Sequence, residues 1–249
     1  MLISVTILTK NSEKYLKQVL DALSDFQEVL IFDNGSTDQT LKIASRYSNV
    51  TIHEGTFEGF GITHNKASNL AQNDWILSID SDEIVTKEMK EAILHLNLDK
   101  ESVYSFPRHN YFNGRFIKWC GWYPDRQVRL FNRTTTQFTE AQVHEAVNVS
   151  KMHQIKLEGP IVHYSYDSIA EFLSKMQSYS NLFAQQYVGK RSSSPLKAIS
   201  HGFFAFFKSY ILKRGILGGY EGYLISAYNG HTAYYKYLKL YEANCRKKN

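Results

Sequence analysis

Four consecutive residues, Asp80-Ser81-Asp82-Glu83, follow the apolar run Trp75-Ile76-Leu77-Ser78-Ile79 and place three carboxylates where a buried strand reaches the surface of its sheet. Hard oxygen donors at that spacing suit Mg²⁺ or Mn²⁺, which are bound at phosphate-transfer sites through one or two carboxylates completed by substrate phosphates. Asp80 and Asp82 occupy alternate positions and share one rim of the sheet, while Ser81 is small enough to admit a ligand. An acidic turn that ends a strand and caps the next helix would look the same in isolation. Two further polar groups stand at the ends of apolar runs: Thr9-Lys10-Asn11 after Ile3 to Leu8, and Asp33-Asn34-Gly35-Ser36-Thr37-Asp38 after Val29 to Phe32. The second is also readable as a tight turn with a helix cap.

The elements that must position these groups alternate in kind. Strands are expected at 3–9, 29–33, 50–53 and 75–80. Helices are expected at 12–26, from the Ser36-Thr37-Asp38-Gln39 capping box to about 47, and at 63–72. That rhythm predicts a Rossmann-like, doubly wound, mostly parallel sheet, with ligands collecting beyond the carboxyl ends of its strands. After a helix at 86–96 the pattern changes to short aromatic-rich strands at 103–112, 115–119, 127–132, 143–149 and 161–164. These predict an antiparallel edge that serves as the acceptor platform.

The composition is that of a folded globular chain. In 249 residues, 43% are hydrophobic, 21% are charged and four are proline. Cys120 and Cys245 are too far apart to suggest a disulfide framework or a metal site, and a reducing compartment is expected. The N-terminus reads as a strand and not as a signal peptide. Lys208 interrupts the best apolar window, around 203–212, so no membrane-spanning helix is expected. No G-x-G-x-x-G follows the first strand, which argues against a dinucleotide dehydrogenase. Thr9-Lys10-Asn11-Ser12 likewise lacks the glycine-rich loop of a sugar nucleotidyltransferase.

The run Thr6-Ile7-Leu8-Thr9-Lys10-Asn11, the Phe32 to Asp38 segment, Gly59-Phe60-Gly61 with Asn65, and Asp80 to Glu83 together resemble family 2 glycosyltransferases of GT-A fold. The subgroup they look like adds sugars to the lipopolysaccharide inner core. The similarity continues through Arg108 to Gly114, Gly121 to Asp125, Arg129-Leu130-Phe131, Val143-His144-Glu145 and His163 to Tyr166.

This resemblance implies a UDP-sugar donor, with glucose or another hexose as the sugar, and a lipid-linked saccharide acceptor. Thr9, Asn11, Asp33, Gly35, Ser36, Asn65, Asp80 and Ser81 would bind the donor. Asp33 would accept from the uracil imide, and Asp80 would contact the ribose or the metal. Asp82 would ligate the cation, with His163 as a later ligand or else as a buried histidine bonded to backbone. Glu145 is the expected general base and Asp125 the alternative; the reaction would be a single displacement with inversion. Arg108 and Arg129 are candidates for gripping a charged acceptor, or are solvated surface arginines. Trp122 and Tyr123 offer ring faces for sugars, or core packing. A catalytically silent nucleotide-sugar scaffold is the competing class.

The domains expected are a catalytic unit at 1–166, divided into donor (1–98) and acceptor (99–166) halves, and a helical extension at 167–249. From Gly189 onward, eleven Lys or Arg stand against Glu221 and Glu242, which leaves the remainder net acidic although the whole chain carries +5. Aromatic and aliphatic residues with a basic rim there describe a helix lying in a membrane interface. The expectation is therefore a peripheral protein on the inner face of the cytoplasmic membrane, touching anionic lipid. A dimer surface or core helix pair would share the pattern, so homo-oligomerisation stays open. Nucleic acid is not an expected partner, since no recognition module is present.

Overall fold

The computed structural model describes residues 2–140, 145–166 and 168–248. In chain order its elements are β1 (Ile3–Thr9), α1 (Glu13–Ala22), β2 (Glu28–Asp33), α2 (Thr40–Ala44), β3 (Val50–Glu54), α3 (Phe60–Leu70), β4 (Trp75–Asp80), β5 (Glu83–Val85), α4 (Lys87–Leu94) and β6 (Ser102–Phe112). They continue with β7 (Arg115–Phe116), β8 (Arg126–Asn132), β9 (His153–Lys156), β10 (Ile161–Tyr166), α5 (Ile169–Tyr187) and α6 (Pro195–Phe207). A π turn (Lys208–Leu212), a 3₁₀ turn (Gly215–Gly218) and α7 (Gly219–Lys248) complete the chain.

The sheet runs β3-β2-β1-β4-β8-β6-β10-β5, with β7 and β9 beside β6. Its first four strands are parallel, and β8 pairs antiparallel with both β4 and β6. This is the expected α/β class: a parallel, Rossmann-like half continued by antiparallel strands. Strand alternation explains how both faces are covered. Ile3, Val5, Ile7, Val29, Ile31, Leu77 and Ile79 pack with Leu16, Val19 and Leu20 of α1 and Met89 of α4. Leu30, Phe32 and Ile76 point the other way, toward Ala67 of α3 and Phe131. A strand buried on both faces reads as a continuous apolar run, and these do.

The chain forms two compact units, 1–109 with 125–163, and 110–124 with 164–249. Segment 110–124, placed by the sequence in the acceptor half, thus groups with the C-terminal helices. In that second unit Phe112, Ile117, Cys120, Phe172 and Ile225 form the core.

Two local expectations fail for identifiable reasons. The Ser36 to Gln39 capping box does not form: Ser36 Oγ donates to Asp33 Oδ1 at 2.5 Å, and Asp38 Oδ1 accepts from the backbone N–H of Thr40 at 2.9 Å, so α2 starts at Thr40. The strand expected at 143–149 is, among the described residues, a single bridge between Phe138 and Val147; Val143 and His144 lie outside those residues. Toward the C-terminus, α7 begins at Gly219 and runs for 30 residues.

Candidate active site

The carboxyl ends of β1 and β2 are laced to each other. Asn34 N–H donates to the Thr9 carbonyl at 2.9 Å. Asn11 N–H donates to Ser36 Oγ at 2.9 Å, and Thr37 N–H returns to Asn11 Oδ1 at 2.8 Å. Ser12 N–H reaches Thr40 Oγ1 at 2.7 Å. Asn11 and Gly35 hold positive φ, 53° and 85°, which lets these loops turn back at the sheet edge. Ser12 Oγ then donates to Ser81 Oγ at 2.9 Å and ties the first loop to the acidic cluster after β4.

Asp33 is the centre of the lacing. Its Oδ1 accepts from Thr9 Oγ1 at 2.8 Å and from Ser36 Oγ, and its Oδ2 accepts from the backbone N–H groups of Gly35 at 3.0 Å and Ser36 at 2.7 Å. Burial would raise its pKa, but these donors outweigh burial and hold it below the usual carboxylate range. Four bonds use the acceptor capacity of a carboxylate. The expected bond from a uracil imide to Asp33 therefore has no lone pair left to receive it. The neighbouring Asn34 Oδ1 is buried and without a partner.

Past β4 the carboxylates divide into two kinds. Glu83 is 0% exposed and accepts from Arg129 Nη2, from Arg108 Nη1 at 3.3 Å and from the Asp80 N–H at 3.1 Å. Burial, reinforced by the Asp80 charge, pushes Glu83 upward. Burial acts the same way on Asp80, but the Arg129 guanidinium, 2.6 Å from Oδ2, dominates and holds it well below the usual range. Arg129 itself is raised: burial opposes its charge, and the two carboxylates overcome that. Arg108 also donates from Nε to Asp125 Oδ2 at 2.8 Å, and Gln127 Nε2 donates to Asp125 Oδ1 at 2.8 Å.

The acceptor-binding expectation for Arg129 is thereby corrected. Its side chain is buried in the sheet and neutralises Asp80 and Glu83. Arg108 likewise spends its guanidinium on Glu83 and Asp125. Asp125, the alternative base, is ion-paired and hydrogen-bonded, which leaves it poorly placed to take a proton.

Asp82 is the exception. Its side chain is 39% exposed, and Oδ2 lies 3.5 Å from His163 Nε2. β10 places that histidine there by pairing antiparallel with β5, His163 opposite Glu83. One hard oxygen and one imidazole nitrogen at that separation fit two ligands of a single divalent ion. Among the described residues no cluster of three or more His, Cys, Asp or Glu surrounds such an ion. A Mg²⁺ or Mn²⁺ bound here would thus depend on substrate oxygens to complete its shell.

The remaining expected residues fall as follows. Asn65 on α3 brackets the Phe138 peptide, donating to its carbonyl at 3.0 Å and accepting from its N–H at 2.9 Å. This fixes the start of the segment that carries Glu145. Glu145 is half-buried and directly precedes Ala146, whose carbonyl accepts from the Thr139 N–H at 2.8 Å. Trp122 packs with Tyr166 and Phe172 in the second unit's core, which favours the packing reading of that residue. Tyr123 is exposed and meets Phe116 edge-on.

Sequence reasoning missed His64, which is buried against Phe138 with ring centroids 4.4 Å apart; its Nδ1 lies 3.3 Å from Ser78 Oγ. Burial lowers its pKa to about 4. It also missed Glu28, a buried carboxylate that accepts from Ser4 Oγ and from the Gln72 N–H. Only its position at the head of an apolar run signalled it.

Comparison with known proteins agrees with this architecture. The family model Glycosyl transferase family 2 matches residues 4–156, and the chain belongs to that family. It is an enzyme of the glycosyltransferase class. It is 25% identical over 262 residues to an uncharacterized glycosyltransferase of Rickettsia typhi, an alignment covering 99% of this chain and 89% of that protein. It is 26% identical to the lipopolysaccharide core biosynthesis glycosyltransferase LpsC of Rhizobium meliloti, over 76% of this chain and 73% of LpsC. Among solved structures, the mannosyltransferase PcManGT from Pyrobaculum calidifontis, in complex with GDP-Man and Mn²⁺, matches with a TM-score of 0.56 at 13% identity. That match spans 100% of this chain and 88% of that one, and it shows the shared GT-A fold.

Proposed function

We propose that the chain transfers a hexose from a UDP-sugar to a lipid-linked saccharide of the lipopolysaccharide core type, by a single displacement that inverts the anomeric centre. The observation that carries this reading is the pair formed by the exposed Asp82 side chain and the half-buried His163 beside the laced ends of β1 and β2. Asp82 and His163 would hold Mg²⁺ or Mn²⁺, and a cation there supplies Lewis-acid stabilisation of the departing diphosphate. The backbone of the Asn34 segment would meet the nucleobase. Asp33 holds the loop that presents it. Glu145 takes the proton from the attacking acceptor hydroxyl, a role expected to contribute roughly 10² to 10⁴ in rate. The similarity to LpsC supports the acceptor class.

The test is calorimetry with UDP and GDP, with and without Mn²⁺, joined to mass analysis of products from a panel of nucleotide sugars. Expected are Mn²⁺-dependent UDP binding and transfer to a core glycolipid. Asp82→Asn should abolish the metal dependence of UDP binding, and Glu145→Gln should keep binding but lose transfer about a hundredfold or more. Binding with neither transfer nor donor hydrolysis would favour the scaffold reading.

A further inference from the structure

The second unit contains a cavity of about 530 Å³ that the donor chemistry does not use, and its walls include Lys118, Trp119, Tyr123, Leu212, Lys213 and Arg214. Three exposed cations share this concave surface, and an anion seated there would relieve their mutual repulsion. Two acids of this unit are already taken, Glu221 by Arg115 at 3.0 Å and Glu242 by Arg246 at 2.6 Å. Among the described residues, none of the three lining cations has a carboxylate partner. They are nevertheless held in place. Lys118 Nζ sits 5.6 Å from the centroid of the Phe116 ring. Lys213 lies so close on Gly121 that a Cβ there would come within 2.2 Å of its Nζ. Cys120 N–H donates to the Lys213 carbonyl at 3.0 Å, and Cys120 and Arg214 both hold left-handed φ near 60° and 56°.

On the cavity wall itself, Leu212 and Leu217 are 61% and 62% exposed, and Ile216 lies between them in sequence. The apolar surface continues along α6 to Phe203, at 71%. Small residues occupy the contacts of α7 with α6 and with the two turns that follow α6. A Cβ on Gly202 would lie 3.2 Å from the Gly230 carbonyl, one on Gly222 would lie 1.9 Å from the Gly215 carbonyl, and Ser226 Oγ donates to Ser209 Oγ at 3.0 Å. Small residues inside and large apolar residues outside is the arrangement favoured for helix pairs in contact with lipid.

We propose that this corner docks on an anionic bilayer: the cavity takes the phosphate of a phospholipid headgroup, and Leu212, Ile216 and Leu217 enter the acyl boundary beside it. Charge selects the occupant, since an unpaired basic cavity next to exposed aliphatic side chains complements a lipid that is anionic at its head and apolar below. The inference rests on neither the donor nor the acceptor assignment above.

Flotation of the full chain tests it, with phosphatidylcholine vesicles prepared with and without phosphatidylglycerol. Flotation that depends on phosphatidylglycerol is expected. The combined Lys118→Gln, Lys213→Gln, Arg214→Gln variant should lose roughly a hundredfold in partitioning, as expected for three cations at an anionic leaflet. The Leu212→Ser, Leu217→Ser variant should lose at least tenfold with its charge intact. Thermal melts of both variants establish that they are folded. Equal flotation by wild type and the charge variant would overturn the proposal. So would tight calorimetric binding of glycerol 3-phosphate by a chain that does not float, which would assign the cavity to a soluble phosphate. A dimer in light scattering, dissociated by Phe203→Asp and indifferent to vesicles, would assign the face to a second copy.

Discussion

At the scale of single residues, the carboxylates near the sheet edge differ in what they have left to offer. Asp33 is buried and saturated, Asp80, Glu83 and Asp125 are bound to arginines, and Asp82 keeps a partly exposed side chain next to an imidazole. The distinction makes a stability prediction at Arg129. Replacing it with alanine strands Asp80 without a guanidinium and leaves Glu83 with Arg108 alone, at 3.3 Å. Loss of one partner of a buried ion pair costs about 3–5 kcal/mol, because the remaining charge stays desolvated. Urea denaturation of Arg129→Ala should show a loss of that size. Pairing Arg129→Met with Glu83→Gln should recover much of it, a test of whether charge or volume is responsible. None of this was legible beforehand. In Gln127-Val128-Arg129-Leu130 the arginine alternates with apolar residues as a surface residue would, and nothing local reveals that two carboxylates from β4 and β5 lie across from it. Asp82 was legible, because an acid two positions past a buried strand has few other places to be.

At the scale of elements, strands and helices of the parallel half were readable because their side chains obey one periodicity each and face one kind of neighbour. Helices α6 and α7 were harder. Gly222 and Gly230 in α7 look like breaks in a sequence, since glycine lowers helix propensity by about 1 kcal/mol relative to alanine. In the structure Gly230 is where α6 comes closest and Gly222 is where the 3₁₀ turn does. Gly222→Ala should therefore destabilise the second unit by about 1–3 kcal/mol or more, because its new methyl group would meet the Gly215 carbonyl and one of the two backbones would have to move. A differential scanning melt would detect the drop. A neutral result would mean that the 3₁₀ turn yields easily. The expected strand at 143–149 illustrates a different limit: valines at 143, 147 and 149 suggest a strand, but apart from the Phe138–Val147 bridge its described part finds no strand partner.

At the scale of the whole molecule, stability must depend on pH through groups that folding perturbs. His64 ordinarily titrates near 6.5, and folding lowers it to about 4. Above pH 6.5 it is neutral in both the folded and unfolded chain, and the stability is fully present. As pH falls from 6.5 toward 4 the unfolded chain takes up a proton that the folded chain refuses, so stability declines, by about 3 kcal/mol across that window. His64→Gln should flatten this part of the profile in denaturant titrations at several pH values. Asp33, also lowered by folding, adds a decline of the same sign below the usual carboxylate range. Charge asymmetry was the one molecular property visible from composition alone. It marked the C-terminal region as basic, but it could not tell which cations find partners and which do not.

The interlocked turns after β1 and β2 have a kinetic consequence. Under the proposed donor-binding role, Asn11, Asp33, Ser36 and Thr37 would already hold one another before a nucleotide arrives, so the conformational entropy of shaping that surface would be spent during folding and not at each encounter. Capture of the donor should then be fast and nearly rigid. A slow or strongly temperature-dependent phase in turnover would have to arise from the acceptor side or from product departure.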